Sequence, residues 1–274
     1  MSRLLAALGV VLALASAVHA APLTQGTLNG RTYLIADQSA NCPGFLRPSI
    51  VMGMHGHMQT AQQFADSTGF HTLASCIITV YPQGLDDGWN SHRDPPLTQS
   101  EIDEVDDIGF LLALADAVKA EYDTRALYLT GISNGGRMAY ALACHHSDEV
   151  TAVGVVATTF TDSDCPAPIL PVPLKHIHGM NDNIIPWEGD SEDPPPLDGI
   201  ERWRIANGCA ATTTTGGDGS RAYDGCFEPV EYRLVGFMGH CWPGNTGVKS
   251  AFGHCPVSNL YDATAKLKDF FARF

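Results

Sequence analysis

Positive charge is what this chain has least of: 16 lysines and arginines stand against 30 acidic residues in 274, a formal net charge of −14. The basic residues are scattered, so the clustered cations that release counterions from a nucleic acid are missing, and no nucleic-acid partner is expected. Zinc is not expected either, because the eight cysteines form no C-x-x-C pair. No internal repeat and no second domain can be discerned. Beyond Ala20, no apolar run is long enough to cross a bilayer.

What is present is a chain that is 45% hydrophobic and 17% charged, long enough for one large core, so a single domain is the default. Its first residues stand apart. Arg3 gives a positive start, Leu4 to Ala17 is apolar, and Val18-His19-Ala20 offers small residues where a signal peptidase reads. Residues 1–20 are therefore expected to be a cleaved secretory signal, the apolar stretch being short for a membrane anchor. The mature chain, residues 21–274, would carry a net charge of about −15. An acidic surface keeps an exported protein in solution without naming a substrate. Extracellular or periplasmic localisation is expected.

Export also accounts for an even set of cysteines: Cys42, Cys76, Cys144, Cys165, Cys209, Cys226, Cys241 and Cys255. Eight thiols allow on the order of a hundred pairings. Sequential neighbours (42 with 76, 144 with 165, 209 with 226, 241 with 255) are the simplest expectation, each closing a short loop.

Asn29-Gly30 between alternating residues predicts a hairpin over Gly26 to Ile35. Ile50–Met54, Ile77–Tyr81, Leu127–Thr130, Val153–Ala157, Leu174–Ile177 and Val230–Val235 read as buried strands. Helical patterns lie between several of them, over Gln59–Ala74 and Val105–Tyr122, and others follow at Ile200–Ala206 and Leu260–Phe274. Strands alternating with helices predict an α/β fold, a mostly parallel sheet covered on both faces. Glu188–Asp198, with three consecutive prolines, reads as a loop, and Thr- and Gly-rich Ala210–Asp224 as a surface loop stapled by its flanking cysteines.

Gly131-Ile132-Ser133-Asn134-Gly135 spells G-x-S-x-G between a strand and the helical pattern Arg137–Cys144. A turn this tight strains its middle residue, which is tolerable only with glycines two positions to either side. The motif reads as a nucleophile elbow, with the backbone N–H of Asn134 facing a developing oxyanion. A serine nucleophile needs a base, and the base an orienting acid. The hydrolase order along the chain is Ser, acid, His. Asp182 follows the strand Leu174–Ile177, and His240 follows Val230–Val235, both at carboxyl ends where such sheets place their sites. His71, His145 and His146 lie late in helical patterns instead. The second oxyanion donor is expected from the loop after Ile50–Met54, at the N–H of His57 or of Met58. A metal at His55 and His57 would lack a third ligand at a fixed spacing.

His55-Gly56, Gly88-Trp89-Asn90, Val105-Asp106-Asp107, Gly131 to Gly136, His178-Gly179-x-x-Asp182 and Gly239-His240-x-Trp242-Pro243-Gly244 together resemble the secreted esterases grouped with polyhydroxybutyrate depolymerases and feruloyl esterases. The resemblance runs in order from about residue 26 to the end. It implies an α/β-hydrolase fold with Ser133 as nucleophile, Asp182 as acid and His240 as base, with no cofactor. It also implies that Trp89 and Trp242 line the substrate cleft. From the residues alone, an aromatic in a loop serves equally well as a cap on the core. Relatives that digest solid polyester usually add a linker and a binding module; neither is discerned in this sequence, so soluble or polysaccharide-bound esters are the expected substrates.

The expected activity is hydrolysis of a carboxylic ester, polymeric esters included, through an acyl-enzyme, with feruloyl or acetyl esters of plant polysaccharide ahead of polyhydroxybutyrate. A silent binding protein on a hydrolase scaffold is the alternative of another class, since fold does not fix function. A peptidase would use the same triad, but nothing suggests a peptide groove.

Overall fold

In the computed structural model the described residues are 21–160, 165, 169–244 and 261–274. The expected signal at 1–20 and Cys255 lie outside them. The chain opens with β1 (Thr24–Leu28) and β2 (Arg31–Asp37), joined as expected through Asn29 and Gly30, both at positive φ as a two-residue primed turn requires. Then follow β3 (Ser49–Met54), α1 (Ala61–Thr68), β4 (Ile77–Pro82), α2 (Gln99–Ile102), α3 (Asp107–Tyr122), β5 (Leu127–Ile132), α4 (Asn134–His145), β6 (Ala152–Val156) and β7 (Leu174–Gly179). The chain ends with α5 (Pro196–Ala206), β8 (Thr213–Thr215), β9 (Arg221–Tyr223), β10 (Val230–Val235) and α6 (Ala263–Phe271).

One sheet holds all ten strands in the order β1-β2-β4-β3-β5-β6-β7-β10-β9-β8. The six from β4 to β10 run parallel, and the antiparallel strands lie outside them on both flanks. Alternation along buried strands sends Ile50, Met52, Leu127, Leu129, Val153 and Val155 to one face, under residues of α3, α4 and α5. Val51, Tyr128, Ala152, Val156 and Ile177 go to the other, under α1 and α6. Helices on both faces are what right-handed parallel crossovers demand.

Two elements differ from expectation. The helix expected over Gln59–Ala74 stops at Thr68, because Gly69 takes the left-handed conformation (φ 63°) that closes a helix, and Phe70–Thr72 form a separate turn. The stapled loop Ala210–Asp224 contains a hairpin of its own, β8 with β9, extending the sheet. Threonines with β-propensity outweighed the glycines there. The expected disulfides Cys42–Cys76, Cys144–Cys165 and Cys209–Cys226 are formed. Cys241 is disulfide-bonded; the second member of the fourth expected pair, Cys255, is outside the described residues. Among these residues no helix is long and apolar enough to cross a membrane.

The junction of β5 and α4 has no room for side chains. A Cβ on Gly131 would stand 2.3 Å from the carbonyl oxygen of Gly135, and one on Gly135 2.2 Å from that of His55. Both obstacles are backbone, so Gly135→Ala should lower stability by about 3 kcal/mol as α4 is pushed off the end of β3. Gly217→Ala, with nothing within 4 Å of the new methyl group, should leave the urea midpoint unchanged; equal midpoints for the two variants would contradict this packing.

Candidate active site

Ser133 sits between strand and helix at φ 55°, ψ −126°, a conformation few non-glycine residues adopt. The turn is held from both sides. Its N–H donates to the carbonyl of Val156 (3.1 Å), and its own carbonyl accepts from the Thr158 hydroxyl (2.8 Å) and the Arg137 N–H (3.0 Å). Asn134 is the first residue of α4, so its N–H has no acceptor within the helix and carries the positive end of the helix dipole.

Asp182 and His240 meet. Nδ1 of His240 donates to Asp182, 2.9 Å from Oδ2 and 3.1 Å from Oδ1, which turns Nε2 to the opposite side of the ring. Oδ1 also accepts the N–H groups of Ile184 (3.0 Å) and Ile185 (2.9 Å). Burial alone would raise the Asp182 carboxyl, but the bonds from His240 and Ile185 outweigh it and hold it below the usual range. The loops carrying acid and base are pinned together: Met180 N–H donates to Val235, Asn181 N–H to Met238. A Cβ on Gly179 would strike the Met238 carbonyl at 2.3 Å. Ser133 follows β5, Asp182 β7 and His240 β10, parallel strands with their carboxyl ends on one edge.

The N–H of Met58 is committed to the carbonyl of Asp87 (2.8 Å), which leaves that of His57 as the candidate second oxyanion donor. His55 holds this loop in place. Its Nδ1 donates to the Gly56 carbonyl (2.8 Å) and its Nε2 accepts from the N–H of Gly84 (3.0 Å) and the Gln83 amide (3.2 Å). Both ring nitrogens thus tie the end of β3 to the end of β4, a structural use in place of a metal ligand.

The two tryptophans that the resemblance places at the cleft are both buried. Trp89 is 0% and Trp242 3% exposed, and Trp242 borders a pocket it shares with Asp66, His71 and Asp262. Trp89 donates through Nε1 to the His55 carbonyl, and its backbone N–H and carbonyl are both bonded to the Asn134 side-chain amide (2.9 and 3.1 Å). Trp242 donates to Thr264 Oγ1 and packs edge-on against Phe64 and Phe70. Burying an indole while satisfying its N–H is the favourable disposition of so large an apolar ring. The Asp106-Asp107 pair is structural too: Asp106 caps α3, while buried Asp107 binds Arg31 (2.6 Å) and the Asn90 N–H (2.6 Å). Three side chains not singled out from the sequence as substrate contacts do face outward beside the site loops: Met58, Met180 and Phe237, the last 83% exposed. Met58 and Phe237 adopt positive φ, a signal only coordinates reveal.

An elbow serine, two backbone donors and an acid–imidazole pair on one edge of a doubly covered parallel sheet define a serine α/β hydrolase. No family model matches the chain. It is 29% identical over 223 residues to a probable feruloyl esterase C of Aspergillus niger, covering 75% of this chain and 74% of that one. It is 28% identical over 228 residues to feruloyl esterase C of Emericella nidulans, covering 77% of each. In three dimensions it is similar to an acetyl xylan esterase from Aspergillus awamori, with a TM-score of 0.59, 14% identity, and coverage of 80% of this chain and 94% of that one. Its fold is that of the α/β hydrolases, and its sequence is similar to that of feruloyl esterases.

Burial sets how this scaffold answers acid. It lowers His55 from 6.5 to about 4, and lowers His176 and His178 as well, so all three are neutral in the native state. Below the ordinary histidine value the unfolded chain binds protons that the folded chain refuses, so stability is lost as pH falls from about 6.5 through about 4. His55 alone should contribute a loss on the order of 3 kcal/mol. Urea midpoints that stay level across that window would refute the neutral assignment.

Proposed function

We propose that this chain is a secreted serine carboxylic-ester hydrolase acting on feruloyl or acetyl esters of plant polysaccharide, with Ser133 as nucleophile, His240 as base and Asp182 as orienting acid. The observation that carries the reading is the Asp182–His240 hydrogen bond, at the sheet edge where the strained Ser133 turn also ends. Ser133 Oγ attacks the ester carbonyl as Nε2 of His240 takes its proton. Asp182 holds the ring with Nδ1 protonated and stabilises the imidazolium. The N–H groups of Asn134 and His57 receive the oxyanion, each worth on the order of 3 kcal/mol. The alcohol leaves with the proton from His240, and water then attacks the acyl-enzyme by the same route in reverse. Three disulfides and the N-terminal apolar segment support export.

The names of the relatives support the substrate class. With both tryptophans buried, the apolar surface an aromatic acyl group meets at the site is that of Met58, Met180 and Phe237. Ser133→Ala should remove turnover of methyl ferulate and p-nitrophenyl acetate, and labelling by a fluorophosphonate, in a folded protein; ordinary activity in that variant would end the nucleophile assignment. Clearing of a polyhydroxybutyrate suspension without ferulate release would move the substrate to polyesters, and an unlabelled wild type would indicate a silent scaffold. Phe237→Ala should raise KM for methyl ferulate about tenfold while leaving that for p-nitrophenyl acetate and the melting temperature nearly unchanged; an unaltered KM would remove Phe237 from the acyl contact.

A further inference from the structure

Two imidazoles that the mechanism does not use are buried beside the acid. His176 and His178 alternate on β7, 1% and 0% exposed, with rings stacked 5.4 Å apart at 12°. Their hydrogen bonds have a forced direction. The Ile185 carbonyl, 2.8 Å from His178 Nε2, can only accept, so Nε2 carries a proton. Burial keeps both rings neutral, so His178 Nδ1 accepts, and its partner at 3.2 Å, His176 Nε2, donates. His176 Nδ1 is then an acceptor, and the Tyr140 hydroxyl donates to it at 2.8 Å.

The chain has informative ends. Tyr140 lies on α4, the helix that follows Ser133. Ile185 lies in the acid loop, and its N–H is one of those that Asp182 Oδ1 accepts (2.9 Å). His178 Nε2 is itself 3.4 Å from Asp182 Oδ2. Trp187 packs against both imidazoles and stacks on Tyr232. Apolar side chains would fill this strand face without three matched donors and acceptors, and each polar group buried here would be costly unless bonded. We propose that His176 and His178 are positioning residues of the triad: the one-way chain from Tyr140 to Ile185 locks the acid loop to the elbow helix, so that Asp182 meets the base in a single position.

The kinetic part of this inference rests on the esterase reading; the bond arrangement does not. The test measures kcat and KM for methyl ferulate per fluorophosphonate-labelled serine, from about pH 4 to about pH 9, together with the far-downfield proton resonance of the His240–Asp182 hydrogen bond. His178→Leu should lower kcat about ten- to a hundredfold with KM nearly constant. It should also move the acid limb to lower pH, because a carboxylate held less firmly favours imidazolium less. His178→Gln, whose amide can both donate and accept, should restore most of kcat and the limb. A folded, fully labelled His178→Leu with wild-type kcat and an unmoved acid limb overturns the proposal, since that variant would have lost packing alone. Where His178→Leu does not fold, Tyr140→Phe decides: it should shift the downfield resonance, and an unshifted one overturns the proposal. A wild type that neither labels nor turns over substrate sinks the esterase reading instead, and the resonance still tests the chain.

Discussion

The molecule depends on how closely a helix can approach the end of a strand. Where α4 begins, its backbone lies so near the end of β3 that Gly135 has no space for a methyl group against Met54 and His55. That proximity puts the N–H of Asn134 and the loop after β3, which carries His57, on one side of the Ser133 turn. The proposed oxyanion hole draws on both segments and needs them fixed relative to each other before substrate arrives, since donors that reorganise during reaction forfeit their advantage. The strained φ of Ser133 persists because Val156, Thr158 and Arg137 over-determine its peptide groups.

Outward from that junction, each loop of the site is tied to a neighbour by a buried group that does no chemistry. His55 joins the loop after β3 to that after β4. The Asn134 side chain grips both backbone groups of Trp89, Asp107 grips Asn90, and Gly179 lets the acid loop lie against the base loop. Loops are ordinarily the mobile part of a domain. Here polar groups are paired across loops, tying the loops after β3 and β4 to the start of α4, while close packing at Gly179 holds the acid loop against the base loop.

The sheet, its helices and the placement of the candidate site residues were legible in the sequence because they leave periodic or positional marks. Strand periodicity located all six parallel strands, and Ser133, Asp182 and His240 do lie after the strands expected. The burial of the tryptophans was not legible, because a motif shared with relatives reports that a residue matters, not whether it faces substrate or core. Trp89 matters as packing bound to Asn134, and its indole N–H is satisfied by a carbonyl that no spacing rule points to. The strand read from the sequence ended at Ile177, one residue short of His178, and the protonation state of His176 and His178 depends on burial, which the sequence does not state. The β8–β9 hairpin was hidden by glycine-rich composition that is equally typical of an unstructured loop.

The scarcity of cations in the chain bears on this design. A net charge of −14 opposes a developing oxyanion at long range, though salt attenuates fields beyond roughly 8 Å. What acts inside that distance decides the barrier. Two buried arginines are already committed, Arg31 to Asp107 and Arg137 to Asp193 (2.6 Å each). In the proposed mechanism, stabilisation of the oxyanion falls to uncharged dipoles, the N–H groups of a helix start and a loop. Such donors are effective only at close range and correct angle, whereas a cation tolerates misplacement. A hydrolase that relies on dipoles thus requires the dense loop-to-loop bonding seen here, and the neutral, one-directional hydrogen bonds of His55, His176 and His178 supply it without adding buried charge.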